Sequence, residues 1–466
     1  MPLPSDQILT VAQMREAEQA LIDAGTSVDA LMQTAGRGAA DWVWRLAGQR
    51  AVTVLCGPGN NGGDGYVIAQ ALRERGGTVQ LVAACEPKTE AARNARALWQ
   101  GEVLGRDADP QGDVLVDCLF GSGLVRPLSS EDAGLLNRLS ASHRQAIAVD
   151  LPSGIQSDSG MMLNQDLPHY DLTLALGAWK FAHFLMPSSS AMGALRLVGI
   201  GVGAVPGAAR RVERPAFSAP AADAHKYRRG LVGVVAGAMP GAALLACQAA
   251  QGAGAGYVKL LSDAAVTVPP QLVLDRAPLV DVLGDGRYSA LLCGPGLGRD
   301  AEARERLAEV IASEVPAVLD ADALVLLAPR LLAERAEPVI ATPHEGELLS
   351  LERAFGCEGT GSKPERAAEL ARTSGMVIVA KGPDTVIAAP DGRLACAHRA
   401  ASWLSTAGTG DVLAGAIASR LATGSEGFSA ACEGVWLHGK AARIAGPAFH
   451  AGQLAAAIAP AHAACL

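Results

Sequence analysis

The sequence predicts an α/β protein with two domains, each built on a parallel sheet with helices on both faces. Its 466 residues exceed what one ordinary hydrophobic core supports. Short apolar runs of strand length alternate with segments of helical periodicity, a pattern typical of βαβ units with right-handed crossovers. Hydrophobic residues make up 50% of the chain and glycine occupies 53 positions, a balance that suits helices packed closely on parallel strands.

In the first half, apolar spacing over residues 10–47 predicts helical structure with a break at 25–27. Five short apolar runs predict strands, at 52–56, 79–84, 113–119, 146–149 and 171–176. Further helices are expected through 66–72 and over 90–100. Ligands of such sheets bind at the carboxyl ends of the strands, so the glycine-rich turns that follow the strands are the first places to look for a site.

The composition shifts to Ala, Pro and Arg between residues 203 and 224, which indicates an interdomain linker. We therefore predict domains at 1–205 and 225–466, with 206–224 between them. In the second domain the predicted strands are 231–236, 257–261, 290–293, 317–319, 339–341 and 376–380, the last followed by a hairpin through 386–389. Helices are predicted over 241–251 and from about Asp411.

Charge and cysteine content exclude several classes of protein. The net charge of -8 argues against a nucleic-acid or anionic-membrane surface. No apolar run has the length of a transmembrane helix, and the N-terminus lacks the pattern of a signal peptide. The nine cysteines are scattered without a CxxC pair, so we expect buried free thiols and a cytoplasmic protein.

Residues 57–65 (GPGNNGGDG) form the most glycine-rich turn of the first half. Structural glycines at a tight turn would explain one or two of these residues but not Asn60, Asn61 and Asp64 together. A backbone nest for a pyrophosphate, with side-chain oxygens left for a hard cation, explains the whole set better. Asp117 and Ser153 could add oxygens to the same cation, and a monovalent ion is plausible because no Cys/His grouping is present.

Asp150 ends a predicted strand and stands two residues before Pro152. Its carboxylate should face the ligand crevice; the alternative is that it only forms the turn.

Three motifs of the first half resemble the NAD(P)HX epimerase domain, which has a Rossmann-like three-layer fold. They are 57–65 (GPGNNGGDG), 116–124 (VDCLFGSGL) and 149–154 (VDLPSG). The resemblance implies a potassium ion on Asn61, Asp117 and Ser153, and a catalytic role for Asp150. It further implies that the hydrated dinucleotide contacts Asp150 and two loops, whose residues are Asn60, Asn61, Gly62, Gly63, Asp64, Gly121, Ser122, Gly123, Leu124, Val125, Arg126 and Pro127. Ser122 stands where the family often has Thr, and Lys180 looks like a late lysine of the family without a clear role.

Residues 405–415 (STAGTGDVLAG) form a glycine-rich turn leading into an apolar-periodic helix. The amides of a helix N-terminus favour a phosphate, and Asp411 would stand beside it as a base for a reacting hydroxyl. The alternative is that Asp411 is only the N-cap of the helix.

Four other features of the second half admit two interpretations each. Residues 294–298 (GPGLG) resemble an anion-binding turn, although that pattern alone is weak. Asp320 and Asp322 bracket a strand end, where one could hold magnesium indirectly or cap the next helix. His344 is either a ligand contact or an ordinary loop histidine, and Lys381 either reaches phosphates or belongs to a plain hairpin.

Seven stretches in order resemble the ADP-dependent NAD(P)HX dehydratase, a member of the ribokinase-like superfamily with a three-layer fold. They are 225–227 (HKY), 241–243 (GAA), 294–298 (GPGLG), 320–324 (DADAL), 342–344 (TPH), 381–382 (KG) and 407–411 (AGTGD). The resemblance implies that the hydrated dinucleotide contacts Ala242, Gly296, Gly298, His344 and Asp411. It implies that the adenine nucleotide contacts Lys381, Gly382, Pro383, Asp384, Thr385 and Gly410. Glu345 departs from the proline that usually follows this histidine in the family.

The combined resemblance implies a bifunctional enzyme that epimerises hydrated NADH and NADPH and dehydrates the S epimer with ADP, producing AMP and phosphate. Asp411 would deprotonate the ring hydroxyl, which is phosphorylated and then leaves as phosphate. We expect potassium in the first domain, magnesium with ADP in the second, no nucleic-acid or membrane partner, and a homo-oligomer. One alternative is a ribokinase-like kinase of a vitamin precursor or sugar fused to a nucleotide-binding module; another makes the first domain a non-enzymatic sensing module.

Overall fold

The computed structural model describes residues 5–466 and divides the chain into two compact units, with the boundary between Arg210 and Arg211. This boundary falls inside the segment predicted as a linker, three residues of which form a short strand. Each unit has its own sheet core and is described separately.

The first unit is a layered α/β structure whose last main-sheet strand ends at residue 198. A short further strand begins near the end of the unit. The strands of this unit are β1 (Gln7–Ile8), β2 (Val52–Cys56), β3 (Val79–Ala83), β4 (Gly112–Cys118), β5 (His143–Val149), β6 (Leu172–Leu176) and β7 (Ala194–Val198), and the first two residues of β8 (Ala209–Arg211) also belong to it. Its helices are α1 (Val11–Asp23), α2 (Val28–Ala47), α3 (Asn60–Glu74), α4 (Glu90–Leu98) and α5 (Ser130–Ala141). Gln7 and Ile8 pair antiparallel with Arg210 and Ala209.

The main sheet of this unit is parallel throughout, with the order β3-β2-β4-β5-β6-β7. Alternate residues of β2 enter two different cores: Val54 and Cys56 pack with α2 and α3, whereas Leu55 packs with α5 on the other face. This alternation makes three layers and confirms the predicted sandwich. The strand order reverses between β2 and β4, which is where an open α/β sheet forms its ligand crevice.

The second unit has nine strands and nine α-helices. The strands are β9 (Leu231–Val235), β10 (Tyr257–Leu261), β11 (Val273–Asp275), β12 (Ala290–Cys293), β13 (Ala317–Leu319), β14 (Val339–Ala341), β15 (Val377–Ala380), β16 (Val386–Ala388) and β17 (Leu394–Cys396). The helices are α6 (Pro240–Gly252), α7 (Leu279–Leu283), α8 (Ala301–Ala312), α9 (Asp322–Leu326), α10 (Glu345–Phe355), α11 (Lys363–Ser374), α12 (Thr409–Ala422), α13 (Gly427–Ala445) and α14 (Ala451–Ala463).

These strands follow the order β17-β16-β15-β14-β13-β12-β9-β10-β11. All neighbours are parallel except β15-β16-β17, which form the antiparallel hairpin predicted after residue 380 and one further strand. Helices α6, α12 and α13 cover one face of the sheet. Helix α12 lies so close to α6 that a Cβ on Gly415 would be 2.2 Å from the Ala246 carbonyl oxygen, so glycine is required there.

One boundary differs from its prediction in a way that matters for the site. Helix α3 begins at Asn60, not near Tyr66, because the cap is Gly59 and the glycines that follow adopt helical geometry. The polar residues of the 57–65 turn therefore belong to the first turn of a helix. Within residues 5–466, no helix has the length and apolarity needed to cross a membrane.

Candidate active sites

A cavity of about 510 Å³ lies at the carboxyl ends of β2, β4 and β5 in the first unit. The three motifs at 57–65, 116–124 and 149–154 all contribute to its wall. Asn60, Asn61 and Asp64 reach it from the first turn of α3, and the loop 121–126 reaches it from β4. Gly62 and Gly63 lie in the same turn of α3 and are buried. A Cβ on Gly62 would be 1.9 Å from the Gly57 carbonyl oxygen, so this turn folds tightly enough to leave the helix amides facing the cavity.

Asp150 lies at the end of β5 with a φ of 65°, a conformation that costs energy for a residue other than glycine. Its buried carboxylate is held on both oxygens. The Lys180 ammonium donates to Oδ1 at 2.5 Å, and the Ser122 amide donates to Oδ2 at 2.9 Å. Burial alone would raise the pKa of Asp150, but Lys180 and Ser122 outweigh it and hold the pKa below its usual value.

The structure defines the contacts of Lys180, which the sequence did not predict. Its side chain is 1% exposed, and its ammonium also donates to the Leu176 carbonyl at 2.6 Å. The backbone N–H of Lys180 donates to His183 Nδ1, and His183 Nε2 donates to the Asp150 carbonyl. The buried histidine thus ties the lysine and the strained aspartate together, and burial lowers the pKa of His183 to about 4, so it stays neutral.

Two further carboxyl groups face the same cavity. Asp64 is buried, and burial together with the nearby charge of Asp150 raises its pKa well above the usual value. Glu18 reaches the cavity from α1, and burial raises its pKa as well. Sequence motifs gave no indication of Glu18 or of its neighbour Arg15, because α1 comes near the cavity only through the tertiary fold.

Of the three residues proposed as cation ligands, Asn61 lines this cavity, and Asp117 and Ser153 contact each other. Ser153 donates to Asp117 through both its amide and its hydroxyl, and Tyr170 donates to the same carboxylate at 2.6 Å. Asn61 is different, since both its amide oxygen and its amide nitrogen are buried without a hydrogen-bond partner. An orphaned buried amide needs an explanation, and an oxygen ligand for an alkali cation is one that fits this donor set. In the described residues no three His, Cys, Asp or Glu side chains group as metal ligands.

In the second unit, Asp411 lies in the first turn of α12. The N-cap of that helix is Gly408, with a φ of 88°, so Asp411 is not the cap. Gly410 stands next to two charged groups: a Cβ there would be 3.6 Å from the Lys381 Nζ and 3.8 Å from the Asp320 Oδ2. Burial and the Asp320 charge raise the pKa of Asp411 to about 6, against an opposing effect of Lys381. Asp411 therefore has the basicity expected of a general base near neutral pH.

The glycine turn 294–298 follows β12 and is shaped by positive φ angles at all three glycines. A Cβ on Gly296 would be 2.1 Å from the Met239 carbonyl oxygen, which brings this turn against the start of α6, where Ala242 lies. The Gly298 amide is occupied, because it donates to Asp322 Oδ2 at 3.0 Å. Asp322 also accepts from Arg299 at 2.7 Å, so it supports this turn rather than capping a helix.

His344 is the N-cap of α10. Its Nδ1 accepts from the Glu347 amide, and the Glu347 carboxylate accepts from the His344 amide, which forms a reciprocal capping box. The histidine side chain is 62% exposed. Glu345, the departure from the usual proline, lies in the first turn of α10 and pairs with Arg366 at 2.6 Å.

The loop 381–385 follows β15 and is folded back on itself. The Gly382 amide donates to the Thr385 hydroxyl, and that hydroxyl donates to the Gly382 carbonyl. Asp384 is buried and accepts from Lys363 at 2.7 Å. Pro383 lies between them, and its carbonyl accepts from the Ala400 amide. The predicted nucleotide loop thus presents Lys381 on the side of Gly410 and turns Asp384 toward Lys363.

Comparison with known proteins covers both units. The family model described as NAD(P)H-hydrate dehydratase matches residues 232–461, and that of the YjeF-related protein N-terminus matches residues 28–182. The bifunctional NAD(P)H-hydrate repair enzyme Nnr of Gloeobacter violaceus is 34% identical over 475 residues, covering 93% of this chain and 92% of that protein. The enzyme of the same name from Moorella thermoacetica is 33% identical, covering 88% and 87%.

Among solved structures, the chain is similar to the ADP/ATP-dependent NAD(P)H-hydrate dehydratase of Bacillus subtilis that was co-crystallised with ATP/Mg2+. The identity is 30% and the TM-score 0.48, with 54% of this chain and 95% of that chain covered. The relatives that span both units decide the assignment: the chain belongs to the family of bifunctional NAD(P)H-hydrate repair enzymes.

Proposed function

We propose that the two units catalyse two linked steps in the repair of hydrated NADH and NADPH. The first unit interconverts the R and S epimers at the hydrated carbon of the ring, and the second dehydrates the S epimer with ADP to give NADH or NADPH, AMP and phosphate. One observation carries this proposal: relatives named for the repair activity match 93% of the chain, across both units. Each unit also places a carboxylate beside a lysine at the carboxyl end of its sheet.

In the first unit, Asp150 is the proposed catalytic residue. The ring hydroxyl takes up one proton from solvent and departs as water; a water then adds to the other face of the ring and releases one proton to solvent, so the ring carries positive charge between the two events. An ionised carboxylate fixed by Lys180 and the Ser122 amide is placed to stabilise that charge. The proposed dinucleotide contacts in 60–64 and 121–127 would hold the pyrophosphate and the ribose around it.

Potassium is the proposed cation of the first unit, with Asn61, Asp117 and Ser153 as its side-chain ligands. The orphaned Asn61 amide supports this assignment. A bound potassium ion would supply positive charge and fixed geometry next to the loop that holds the pyrophosphate.

In the second unit, Asp411 accepts the proton of the ring hydroxyl. The hydroxyl oxygen then bonds to the terminal phosphorus of ADP while the bond to the AMP oxygen breaks. The amides of the first turn of α12 and the Lys381 ammonium stabilise the charge of the phosphoryl group in transfer. The phosphorylated oxygen leaves the ring as phosphate, and loss of a ring proton restores the dihydronicotinamide.

The ligand contacts proposed for the second unit lie in two loops and at the starts of three helices. For the hydrated dinucleotide we propose Ala242, Gly296, Gly298, His344 and Asp411. For the adenine nucleotide we propose Lys381, Gly382, Pro383, Asp384, Thr385 and Gly410, with magnesium bound to the phosphates of ADP. The magnesium would neutralise phosphate charge. None of the nine cysteines, all of which the structure describes, forms a disulfide, and seven are buried, which supports the proposed reducing, cytoplasmic location. The homo-oligomer remains a prediction.

The decisive experiment mixes the purified chain with each separated epimer and with ADP or ATP. Reduced-nicotinamide absorbance should return with stoichiometric AMP from the S epimer and ADP, and from the R epimer only after epimerisation. A stable phosphorylated product, formed with ATP and no return of absorbance, would instead establish the small-molecule kinase. Failure of residues 1–210 to equilibrate the epimers would contradict the epimerase assignment.

A further inference from the structure

Asp320 is a buried carboxylate that joins the ends of three neighbouring strands. It follows β13 and is 1% exposed. Its Oδ1 accepts from the Lys381 ammonium at 2.6 Å and from the Thr342 hydroxyl at 2.7 Å. Thr342 follows β14 and Lys381 follows β15, so each strand end contributes one member of this cluster. The charged side chains of this cluster are therefore less free to move than those of a surface ion pair.

The other oxygen of Asp320 lies on the side of α12. A Cβ on Gly410 would be 3.8 Å from Asp320 Oδ2 and 3.6 Å from Lys381 Nζ. Both are ordinary van der Waals distances, so the Asp320–Lys381 pair lies directly against Gly410, and a side chain there would fill the space between the pair and the first turn of α12. That space is adjacent to Asp411 and open to the helix amides, where a transferred phosphoryl group would lie.

The backbone next to Asp320 is strained in a way that separates it from the second aspartate of the motif. Ala321 has a φ of 46° and a ψ of -120°, a conformation that residues other than glycine rarely adopt. Through this turn Asp320 meets Lys381, whereas Asp322 meets the Gly298 amide and Arg299. The sequence DADAL thus supports two separate loops of the site.

We propose that Asp320 is a positioning residue of the dehydratase, which holds Lys381 against Gly410 and places a second negative charge beside Asp411 so that Asp411 acts as a strong base. The proposal rests on the proposed function, because it requires Asp411 to be the base. It adds a residue that touches neither the hydrated ring nor the nucleotide and acts only through Lys381 and Asp411.

The charges around Asp411 support this role. Asp320 faces it from the end of β13 and Lys381 from the end of β15, and Glu347 of α10 lies 3.9 Å from the Lys381 ammonium. His438 of α13 donates to the Thr409 carbonyl, and burial lowers its pKa to about 4, so it is neutral at working pH. Burial first and Asp320 second raise the pKa of Asp411, and Lys381 lowers it. Removing the Asp320 charge takes away one of the two raising effects and leaves the lowering effect of Lys381, so the pKa of Asp411 falls.

The test compares the pH dependence of dehydration in four forms of the full chain: wild type, Asp320→Asn, Asp320→Glu and Thr342→Val. The wild-type rate should fall on acidification with a midpoint near pH 6. Asp320→Asn should move that midpoint down by about one pH unit and lower the plateau rate by about tenfold or more, because a weaker base accepts the proton less readily. Asp320→Glu and Thr342→Val keep the charge, so both should keep the midpoint near 6 with a plateau reduced several-fold.

Asp275→Asn is the matched control, since Asp275 pairs with Lys259 at 2.9 Å on another part of the sheet, away from the proposed site. It should leave both midpoint and plateau unchanged. A wild-type midpoint in Asp320→Asn overturns the proposal, as does a plateau loss that only follows the folded fraction in a thermal melt. If Asp320→Asn does not fold, a shifted midpoint in Thr342→Val, which retains the charge, overturns it instead. Asp411→Asn is measured in parallel: substantial turnover there contradicts the proposed base itself, whatever Asp320 does.

Discussion

The two proposed reaction centres use the same pair of residue types and give them opposite properties. In the first unit the lysine bonds directly to the reactive carboxylate, Lys180 to Asp150 at 2.5 Å. In the second unit Lys381 bonds to a different carboxylate, Asp320, and Asp411 has only the weaker influence of both. Burial raises the pKa of both aspartates, but the bonded Lys180 and Ser122 hold that of Asp150 below its usual value, whereas burial and Asp320 raise that of Asp411 to about 6. The partner of the lysine, and not the presence of a lysine, decides whether the aspartate is a fixed charge or a base.

This difference suits the chemistry of each step. A persistent negative charge stabilises a cationic ring in the epimerase, and it need not exchange protons readily. Phosphoryl transfer to a hydroxyl needs a group that takes up a proton during the reaction, which a carboxylate with a pKa near 6 does more readily than one with a low pKa.

The largest effect should come from Asp411→Asn, which removes the base and retains the shape. Dehydration of the S epimer should fall by about three orders of magnitude, while epimerisation by the same chain is unchanged. The raised pKa of Asp411 means that the folded state favours its neutral form, so above pH 6 the neutral asparagine should not lower the melting temperature. The measurement is the rate of absorbance return with ADP, together with epimer ratios in the same sample.

Asp391→Asn is the control for this variant, because Asp391 lies in an exposed turn and pairs only with Arg393 and its amide. It should leave both activities at the wild-type level. Substantial dehydration by Asp411→Asn would remove the contrast between the two centres.

Lys180→Met should have the next largest effect, and it tests the first unit. The variant leaves Asp150 as a buried charge without its ammonium partner, which costs about 3–5 kcal/mol in the free energy of unfolding of the first unit. Epimerisation should fall by about a hundredfold, since Asp150 loses both its orientation and its preference for the ionised form. Dehydration of purified S epimer by the same protein serves as the internal control, and Lys88→Met, an exposed lysine of the same unit, should change neither activity.

The pH dependence separates the centres without mutation. A carboxyl with a raised pKa acts as a base only above that pKa, so dehydration should be half-maximal near pH 6 and level above about 7. Asp150, whose pKa lies below its usual value, stays ionised throughout this range. Between pH 7 and 5, dehydration should therefore fall by about tenfold while the Asp150-dependent part of epimerisation stays constant. Identical acid limbs for the two activities would show that Asp411 and Asp150 are not differently tuned.

Sequence patterns located both centres but not the pairing that distinguishes them. Asp150, Lys180, Asp411 and Lys381 all follow strands or open helices, so their strand-end positions could be predicted from apolar runs and turns. The partner of each lysine depends on side-chain direction across neighbouring strands. Asp320 and Lys381 are separated by 61 positions, and no local pattern connects them.

Among the other features that escaped prediction, two illustrate different physical reasons. The first turn of α3 reads as a loop because Asn60, Asn61 and two glycines have low helix propensity, and tertiary packing overrides that preference. Helix α14 was not predicted because it is almost uniformly apolar and rich in alanine, so it lacks the amphipathic periodicity by which surface helices are found.

Asn61 provides a smaller test, confined to the first unit. If its orphaned amide binds potassium, KCl should stabilise the first unit relative to NaCl and so raise its melting temperature. The free energy of unfolding should rise by up to about 2.7 kcal/mol when potassium is at a hundredfold excess over its Kd. Asn61→Leu should abolish this difference without loss of stability in NaCl, because it removes two unsatisfied polar atoms. Ser159→Ala, a change away from the proposed ligands, should keep the full potassium effect. Equal melting temperatures of the wild type in both salts would contradict the cation site.

The smallest expected effect concerns His344, where a structural role and a ligand contact coincide. Its ring caps α10 and its side chain is 62% exposed. His344→Ala should cost about 0.5–1 kcal/mol in stability, as for other lost caps, and should raise the KM for the hydrated dinucleotide several-fold. His344→Asn retains a good N-cap and loses the ring, so it should restore the melting temperature but not the KM. If Asn restores both, His344 is a cap alone, and the dinucleotide is held in the second unit without it.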